Sequence, residues 1–249
     1  IIWRWARMSK SKGNVVTPEE ICEKFGADSL RIYELFVAPF EDNVQWNEDG
    51  MNGAFRFINR YWRWATSALP YYDPNWRNLH VDLSETEIKV RRKLHQTIKK
   101  VTIDLDEFRF NTAIAAIMEL VNDIYIYQPL DKAPNNIALL SELLEAVVLL
   151  IPPIAPHVGE ELWSRLGKTT STYRSNWPTV DEKATIESVI TVVLQVNGKV
   201  RDKMSAPAGT DTETLKSLAL QHENVVEALA GNKPKTVIVV PGKLVNVVV

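Results

Sequence analysis

Residues 52–69 read NGAFRFINRYWRWATSAL, and this stretch indicates what kind of fold the chain adopts. Its apolar residues recur at the three- and four-residue spacing of a helix with one buried face. The predicted inward positions are Phe55, Ile58, Tyr61, Trp62 and Ala65. The same periodicity returns in residues 86–105, 111–127, 134–151 and 156–166. Modest loops join these segments, so the middle of the chain is predicted to be an antiparallel helical bundle.

Three finer expectations concern the bundle. The helix at 86–105 is expected to bury four residues at helical spacing: Ile88, Leu94, Ile98 and Val101. Asn111 is expected to cap the helix that follows, because asparagine is a favoured N-cap residue. His157 stands at the start of the last bundle helix. No second histidine or cysteine lies near it in sequence, so a structural role is favoured over metal binding.

The segment before the bundle, residues 1–45, is predicted to hold a loop and two short helices. Thr17 is a typical N-cap for the first helix, and Gly26 is a typical C-terminal stop. Asp28 is expected to cap the second helix, at 29–37.

The last part of the chain, residues 185–249, changes to a strand-like periodicity. Residues 189–196 are mostly β-branched, and Asn197-Gly198 is a strong signal for a hairpin turn. A partner strand at 199–204, one or two helices within 212–230 and a second hairpin from 236–240 and 244–249 are predicted to follow. This pattern predicts a small α+β domain, and residues 177–185 are a plausible linker before it.

The composition is that of an ordinary globular protein, with 249 residues, 45% hydrophobic residues and a formal net charge of −2. That charge argues against a protein that coats nucleic acid in bulk, although 29 Lys+Arg residues can cluster locally. Cys22 is the single cysteine, which excludes an internal disulfide and a cysteine-based zinc site and fits a reducing cytoplasm. No run of about 18 apolar residues exists, so no membrane span is expected. The absence of an initiator methionine suggests a piece of a longer protein or one half of a split enzyme.

Residues 7–14, RMSKSKGN, are the best candidates for chemistry. A loop with Lys10, two hydroxyls and Gly13 can wrap a polyphosphate, because the lysine supplies positive charge and the other groups supply hydrogen bonds. Short runs of lysine and serine are also common in solvated loops, so composition alone leaves both interpretations open.

This run resembles the KMSKS loop of class I aminoacyl-tRNA synthetases, with Arg7 in place of the usual first lysine. Other phrases resemble the bacterial-type leucyl-tRNA synthetases: GADSLR at 26–31, WNEDG at 46–50, PHVGEELW at 156–163, QVNGKVRDK at 195–203 and VPGKLVNVVV at 240–249. The resemblance covers essentially the whole chain, but only the C-terminal portion, or the smaller subunit, of such an enzyme.

The resemblance implies a multidomain, mainly α fold with three parts. These are the KMSKS loop with a stem-contact segment over 1–45, an anticodon-binding-type helical bundle over 46–180 and a C-terminal α+β tRNA-binding domain over 185–249. It also implies ATP-dependent activation of leucine and its ligation to tRNA(Leu), with Mg²⁺ accompanying ATP and no permanently bound cofactor. Lys10 would be the catalytic cation, and the implied ATP contacts are Arg7, Met8, Ser9, Lys10 and Ser11.

Cations elsewhere are candidate tRNA contacts. A strand of period two would place Lys199, Arg201 and Lys203 on one face, at a spacing that suits a phosphate backbone. Lys243 lies just past the second hairpin turn. An edge strand protected by lysines is the alternative interpretation. On the aromatic-rich helix, Arg60 and Arg63 share a face that either contacts RNA or is simply solvated.

Several parts of a complete enzyme are not found in this sequence. No HIGH-type motif occurs, so the resemblance implies a partner, namely the N-terminal catalytic portion or a larger subunit. Residues 1–6 also depart from the polar, glycine-containing turn that usually precedes the loop. Two alternatives remain open: a non-catalytic tRNA-binding module, and a portion of a related isoleucyl, valyl or methionyl enzyme, against which the C-terminal hairpins argue.

Overall fold

The computed structural model describes residues 6–39, 41–79, 82–130, 132–186 and 189–249. The expectation about residues 1–6 therefore lies almost wholly outside the described residues. The chain divides into two compact units, unit 1 up to Thr185 and unit 2 from Ile186 onward. Ten α-helices and one four-stranded sheet occur in the described ranges. The predicted fold class, mainly α with a small C-terminal α+β part, is confirmed.

Unit 1 is built from helices around one large apolar core. Its described α-helices are α1 (Pro18–Phe25), α2 (Ala27–Phe36), α3 (Glu48–Ala68), α4 (Glu85–Asp106), α5 (Phe110–Tyr127), α6 (Ile137–Leu150), α7 (Pro156–Arg165) and α8 (Glu182–Thr185). Thr17 caps α1 as predicted, since its hydroxyl accepts a hydrogen bond from the Glu20 N–H. Gly26 follows α1 at a φ of 84°, a backbone conformation that glycine adopts without strain.

The predicted buried face of α3 is partly wrong. Phe55 is 38% exposed, and its ring meets that of Phe25 edge-on, with ring centroids 5.8 Å apart. Trp64 is instead completely buried, together with Tyr61 and Ala65. The reason is that α3 packs against α2, α5, α6 and α7, so neighbours cover a wider stripe than a single helical face.

Three expectations about α2, α4 and α5 are also wrong. Ile88 is 42% exposed, and Val90 is buried on that turn of α4 instead. Asn111 lies inside α5, whose N-cap is Arg109 without a side-chain cap. Asp28 does not cap its own helix, because Gly26 is the N-cap of α2. Its buried carboxylate accepts hydrogen bonds from the first N–H groups of α7 instead.

Residues 177–185 are not a free linker. The Trp177 indole Nε1 donates to Thr102 Oγ1 at 2.8 Å, and Gln96 Nε2 donates to the Thr185 carbonyl oxygen at 3.0 Å. Both partners lie on α4, so this stretch is packed along that helix as part of unit 1.

Unit 2 has the predicted hairpins and two helices. Its elements are β1 (Val189–Val196), β2 (Lys199–Pro207), α9 (Thr212–Gln221), α10 (Glu223–Leu229), β3 (Thr236–Val240) and β4 (Leu244–Val248). The strand order is β2-β1-β4-β3, with β1 and β4 parallel and the outer pairs antiparallel. Asn197 and Gly198 both have positive φ, 49° and 77°, as a tight hairpin turn of this kind requires. Apolar side chains from the sheet and both helices form a separate core.

Candidate functional site

The loop at 7–14 is a compact turn rather than an extended strand. Residues Lys10–Lys12 form a single 3-10 turn, closed by hydrogen bonds from the Lys12 N–H to the Ser9 carbonyl and from the Gly13 N–H to the Lys10 carbonyl. The Ser9 N–H donates to Asn14 Oδ1 at 3.0 Å, which ties the two ends of the loop together. Gly13 ends the turn at a φ of 63°, where a side chain would be strained.

The loop presents its charge to solvent. Lys10, Ser11 and Lys12 are exposed. Among the described residues, no carboxylate lies within ion-pair distance of Lys10. The Ser9 and Ser11 hydroxyls lie 3.3 Å apart on the same turn. Arg7 and Met8 are also exposed, so the structure places all five predicted ATP contacts on one accessible segment.

The three cations of β2 are exposed but do not share one face as strict alternation predicts. Gln195 of β1 pairs with Val200 and Leu194 pairs with Asp202, so Arg201 is an extra residue in a β-bulge. Residues directly opposite each other point to the same face of a sheet. Lys199, opposite the buried Val196, therefore lies on the face that the helices cover, and Lys203, opposite Val193, lies on the other face.

This bulge explains why Lys199 and Lys203 lie on opposite faces of β2. An extra residue bends the strand and increases its twist, and β2 is an edge strand of the sheet. Lys243 is exposed in the turn between β3 and β4, and its carbonyl oxygen accepts a hydrogen bond from the Val193 N–H at 2.9 Å. Three of the four predicted tRNA-contacting cations of unit 2 thus lie on β2, and the fourth lies in a turn of the same sheet.

The two arginines of α3 have different environments. The Arg60 guanidinium lies 4.4 Å from the centre of the Tyr125 ring and also donates to Asn122 on α5. Arg63 is exposed, and among the described residues it donates only to the carbonyl oxygen of Asn59 on its own helix, at 3.3 Å. Arg60 is therefore used in helix packing, whereas the Arg63 side chain is accessible.

His157 is a helix-start residue with one specific partner. Its Nδ1 lies 2.8 Å from Asp28 Oδ1, and its backbone N–H points to the same carboxylate oxygen. The ring is 75% exposed and borders an open groove of about 540 Å³ lined also by Phe55 and Trp62. Within the described residues, no group of three or more His, Cys, Asp or Glu side chains is arranged to hold a metal ion.

Buried carboxylates that sequence reasoning missed organise unit 1. Burial alone would raise the pKa of Glu142, but hydrogen bonds from His95 and Arg91 outweigh it and hold that pKa below its ordinary value. Glu145 is similar, because Tyr72 donates to it at 2.5 Å and Arg77 at 2.6 Å, and its pKa is also lowered. No motif marks these residues, since their partners lie far away in sequence.

The helices of the described residues are all too short or too polar to cross a membrane. Two protein-family models match the chain. One, described as the anticodon-binding domain of tRNA ligase, covers residues 88–216, and the other, described as tRNA synthetases class I (I, L, M and V), covers residues 5–47. The chain therefore belongs to the class I tRNA ligases that carry this anticodon-binding domain.

Within that class, the chain is similar to leucine–tRNA ligases of several bacteria. It is 43% identical to the protein of Geotalea uraniireducens and 44% identical to that of Geobacter sp. (strain M21), in both cases over 98% of this chain. The chain spans only 30% of the length of each relative, and it corresponds to their C-terminal part. The resemblance to leucyl-tRNA synthetases is thereby confirmed.

Solved structures of tRNA synthetases are also similar to this chain. A ternary complex of Agrobacterium radiobacter LeuRS, tRNA and LeuAMS matches with a TM-score of 0.81 and 31% identity, covering 97% of this chain and 31% of that one. A Mycobacterium tuberculosis methionyl-tRNA synthetase bound by methionyl-adenylate matches with a TM-score of 0.53 and 19% identity, covering 66% and 36% of the two chains. At that identity, the second match supports the fold alone.

Proposed function

We propose that this chain is the C-terminal part of a leucine–tRNA ligase that activates leucine with ATP and transfers it to tRNA(Leu). The observation that carries the proposal is the 42–44% identity to leucine–tRNA ligases over almost the whole chain, including the loop at 7–14. In the first step the leucine carboxylate attacks the α-phosphate of ATP, giving leucyl-adenylate and releasing pyrophosphate. In the second step the ester to tRNA forms and AMP leaves.

In this proposal the loop acts on the ATP phosphates. Lys10 stabilises the negative charge that develops on the phosphoryl oxygens, and its lack of a carboxylate partner among the described residues leaves its charge available. Ser9 and Ser11 add hydrogen bonds from the same turn, with Arg7 and Met8 beside them. Mg²⁺ accompanies ATP, since a hard cation with phosphate oxygens needs few protein ligands.

Unit 2 is proposed to bind the tRNA backbone. Lys199, Arg201, Lys203 and Lys243 provide four cations on one small sheet, and an exposed cation gains affinity when it neutralises a phosphate and releases a counterion. Arg63 is a second proposed contact. Arg60 contributes less in this account, because its guanidinium is already stacked on Tyr125.

The proposal assigns a role to each part of the chain. Residues 1–45 form the end of the catalytic domain, residues 46–180 the anticodon-binding-type bundle and residues 185–249 the tRNA-binding domain. The partner that completes the active site is the N-terminal catalytic portion or a larger subunit. Leucine and ATP bind in the complete enzyme, which works in the cytoplasm with the rest of translation.

Direct binding of tRNA(Leu) to this chain tests the proposal. We expect the affinity to fall steeply between about 50 and 200 mM salt, since each neutralised phosphate adds to the slope of log K against log salt. Replacing Lys199, Arg201 and Lys203 together by alanine should weaken binding and flatten that slope.

The matched control replaces Lys89, Lys93 and Lys216 by alanine. These lysines are paired with carboxylates, so removing them changes the net charge equally but should leave binding nearly unchanged. No binding of tRNA, or equal losses in the two triple variants, would overturn the role of unit 2.

A further inference from the structure

The open groove beside His157, here called the α3–α7 groove, has a mostly apolar lining and a volume of about 540 Å³. Phe55 and Trp62 line it from α3, and the first ring is exposed while the second is half-buried. The Arg165 guanidinium lies 4.8 Å from the centre of the Trp62 ring. A volume of this size is within the range of about 300–1,000 Å³ that is usual for small-molecule sites, and aromatic walls favour a planar ligand.

The polar groups of the α3–α7 groove are left as hydrogen-bond acceptors. His157 Nδ1 lies 2.8 Å from the carboxylate of Asp28, so Nδ1 carries a proton and Nε2 of the uncharged ring is an acceptor. The Asn59 amide nitrogen donates to a backbone carbonyl of its own helix at 2.8 Å, which leaves Oδ1. Glu161 uses Oε1 to accept from Arg165 at 2.8 Å, which leaves Oε2. A ligand with several N–H donors on one edge matches these three acceptors.

Cations lie beside the α3–α7 groove on the same helix. Residues 50–68 carry three arginines and no acid. Arg56 and Arg63 are seven residues apart, so they share a stripe of α3 next to the residues that line the groove. Both are exposed, and neither has a carboxylate partner among the described residues. The two acids of the groove, Asp28 and Glu161, are already paired with His157 and Arg165. The charge next to the groove therefore suits a phosphodiester backbone.

We infer that the α3–α7 groove binds one unpaired nucleotide of tRNA, with its base against Phe55 and Trp62. The phosphates on either side of this nucleotide lie along Arg56 and Arg63. The inference rests on the proposed function, in which unit 1 contacts tRNA. Bases that are splayed out of RNA loops stack on aromatic rings and are read by hydrogen bonds along their edges. Because the groove offers acceptors, guanine fits best, with its N1–H and amino donors, and uracil fits worst, with a single N–H.

Two substitutions remove the proposed base contacts and leave the arginines in place. Phe55→Ala removes an exposed ring, and the affinity of the chain for tRNA(Leu) should fall about 5-fold or more, as is usual when a stacked aromatic residue is lost. His157→Asn keeps an N–H for Asp28 but removes Nε2, and the affinity should fall about 2- to 10-fold. The slope of log K against log salt should stay the same in Phe55→Ala, because no phosphate contact is lost.

The arginines should show the opposite behaviour. In R56A/R63A the salt slope should become flatter by up to about two contacts. The control K89A/K216A removes two lysines that are paired with carboxylates and should leave the slope unchanged. The control for Phe55→Ala is Phe108→Ala, because Phe108 is 67% exposed and lies outside the groove, in the turn between α4 and α5. Its loss should not affect binding.

These affinities separate the inference from the function on which it rests. If the unsubstituted chain binds no tRNA(Leu), the proposed function and the inference both fail. If it binds, but Phe55→Ala and His157→Asn bind equally well, only the inference fails. Equal losses in Phe55→Ala and Phe108→Ala would also overturn it, since the effect would then not belong to the groove.

Photo-cross-linking identifies what occupies the α3–α7 groove. With p-benzoylphenylalanine in place of Phe55 in the complete enzyme, tRNA(Leu) should be linked through one nucleotide outside its base-paired stems, and that nucleotide should not be a uridine. An abasic nucleotide at this position should weaken binding in the wild type and cause no further loss in Phe55→Ala. Cross-links to paired nucleotides alone would make the groove a backbone contact. Cross-links to the N-terminal portion of the enzyme, or none to RNA, would make it a protein interface or an empty groove, and each of these results would overturn the inference.

Discussion

Unit 1 and unit 2 are stabilised by different kinds of core. Unit 1 buries the carboxylates of Asp104, Glu142 and Glu145 among apolar helices, each with cationic or hydroxyl partners. Within residues 191–249, whose side chains the structure describes, the buried side chains are apolar throughout. Hydrophobic burial therefore explains the core of unit 2, whereas unit 1 also depends on polar pairs that must be made correctly.

This difference shows how each unit should respond to perturbation. A buried ion pair gives little net stability, but removing one partner leaves an uncompensated charge and is strongly destabilising. Unit 1 should therefore be sensitive to single polar substitutions and to acid. Unit 2 should respond mainly to changes in packing and in turn geometry.

The largest expected effect comes from the apolar core of unit 1. Replacing the fully buried Trp64 by alanine should lower the free energy of unfolding of unit 1 by about 3–5 kcal/mol, because it leaves a large cavity. Denaturant titration followed by hydrogen exchange would measure the two units separately. Phe55→Ala is the control, because Phe55 is 38% exposed and its loss should cost less than about 1 kcal/mol. Equal effects of the two substitutions would contradict the position of α3.

The second-largest expected loss of stability comes from the polar network around Glu142 in unit 1. Replacing Glu142 by alanine should destabilise unit 1 by about 3 kcal/mol, because Arg91 and His95 then lose their shared partner. Glu85→Ala breaks an exposed pair with Lys89 and should cost less than about 0.5 kcal/mol. Thermal unfolding of both variants would check the contrast, and similar melting temperatures would show that the network contributes nothing.

Unit 1 should lose stability at a higher pH than unit 2 when the solution is acidified. The pKa values of Asp104, Glu142 and Glu145 are lowered in the folded chain, where hydrogen bonds outweigh the effect of burial. Their contribution to stability is full above the unfolded-state pKa of about 4 and is lost as pH falls through the folded value. Hydrogen exchange between pH 5 and 3 should therefore show unit 1 opening before unit 2. The reverse order would contradict the comparison.

The smallest effect concerns the hairpin turn of unit 2. Gly198→Ala places a side chain at a φ of 77° and should destabilise the sheet by about 1 kcal/mol. The control is Gly53→Ala in α3, where a Cβ meets nothing within 4 Å and should raise helix stability by up to about 1 kcal/mol. Exchange rates of β1 and β2 should change only in the first variant, and a change in both would mean that the units are not independent.

Features that depend on residues adjacent in the sequence could be predicted, whereas features that depend on distant partners could not. The caps and stops at Thr17 and Gly26, and the turn at Asn197-Gly198, are set by local backbone preferences and were predicted correctly. The capping of α7 by Asp28 was missed, because its partners lie about 130 residues away. The sequence predicts a linker at residues 177–185 for the same reason, since the polar residues there find their partners only when α4 lies beside them.

In the candidate site, too, the features set by neighbouring residues are the ones that the sequence predicts. The position of Lys10 on an accessible turn could be expected from residues 7–14 alone. The placement of Lys199, Arg201 and Lys203 could not, because a bulge depends on the pairing of β2 with β1, and one extra residue reverses which side chains face the helices.

We propose that the loop at 7–14 serves ATP-dependent leucine activation. The most direct measurement is leucine-dependent ATP–pyrophosphate exchange by the complete enzyme, with and without Lys10→Ala. We expect exchange to slow by roughly one to three decades, the amount that a single electrostatic contact to a transition state contributes. The binding of tRNA(Leu) should remain. An unchanged rate of exchange would show that Lys10 takes no part in leucine activation.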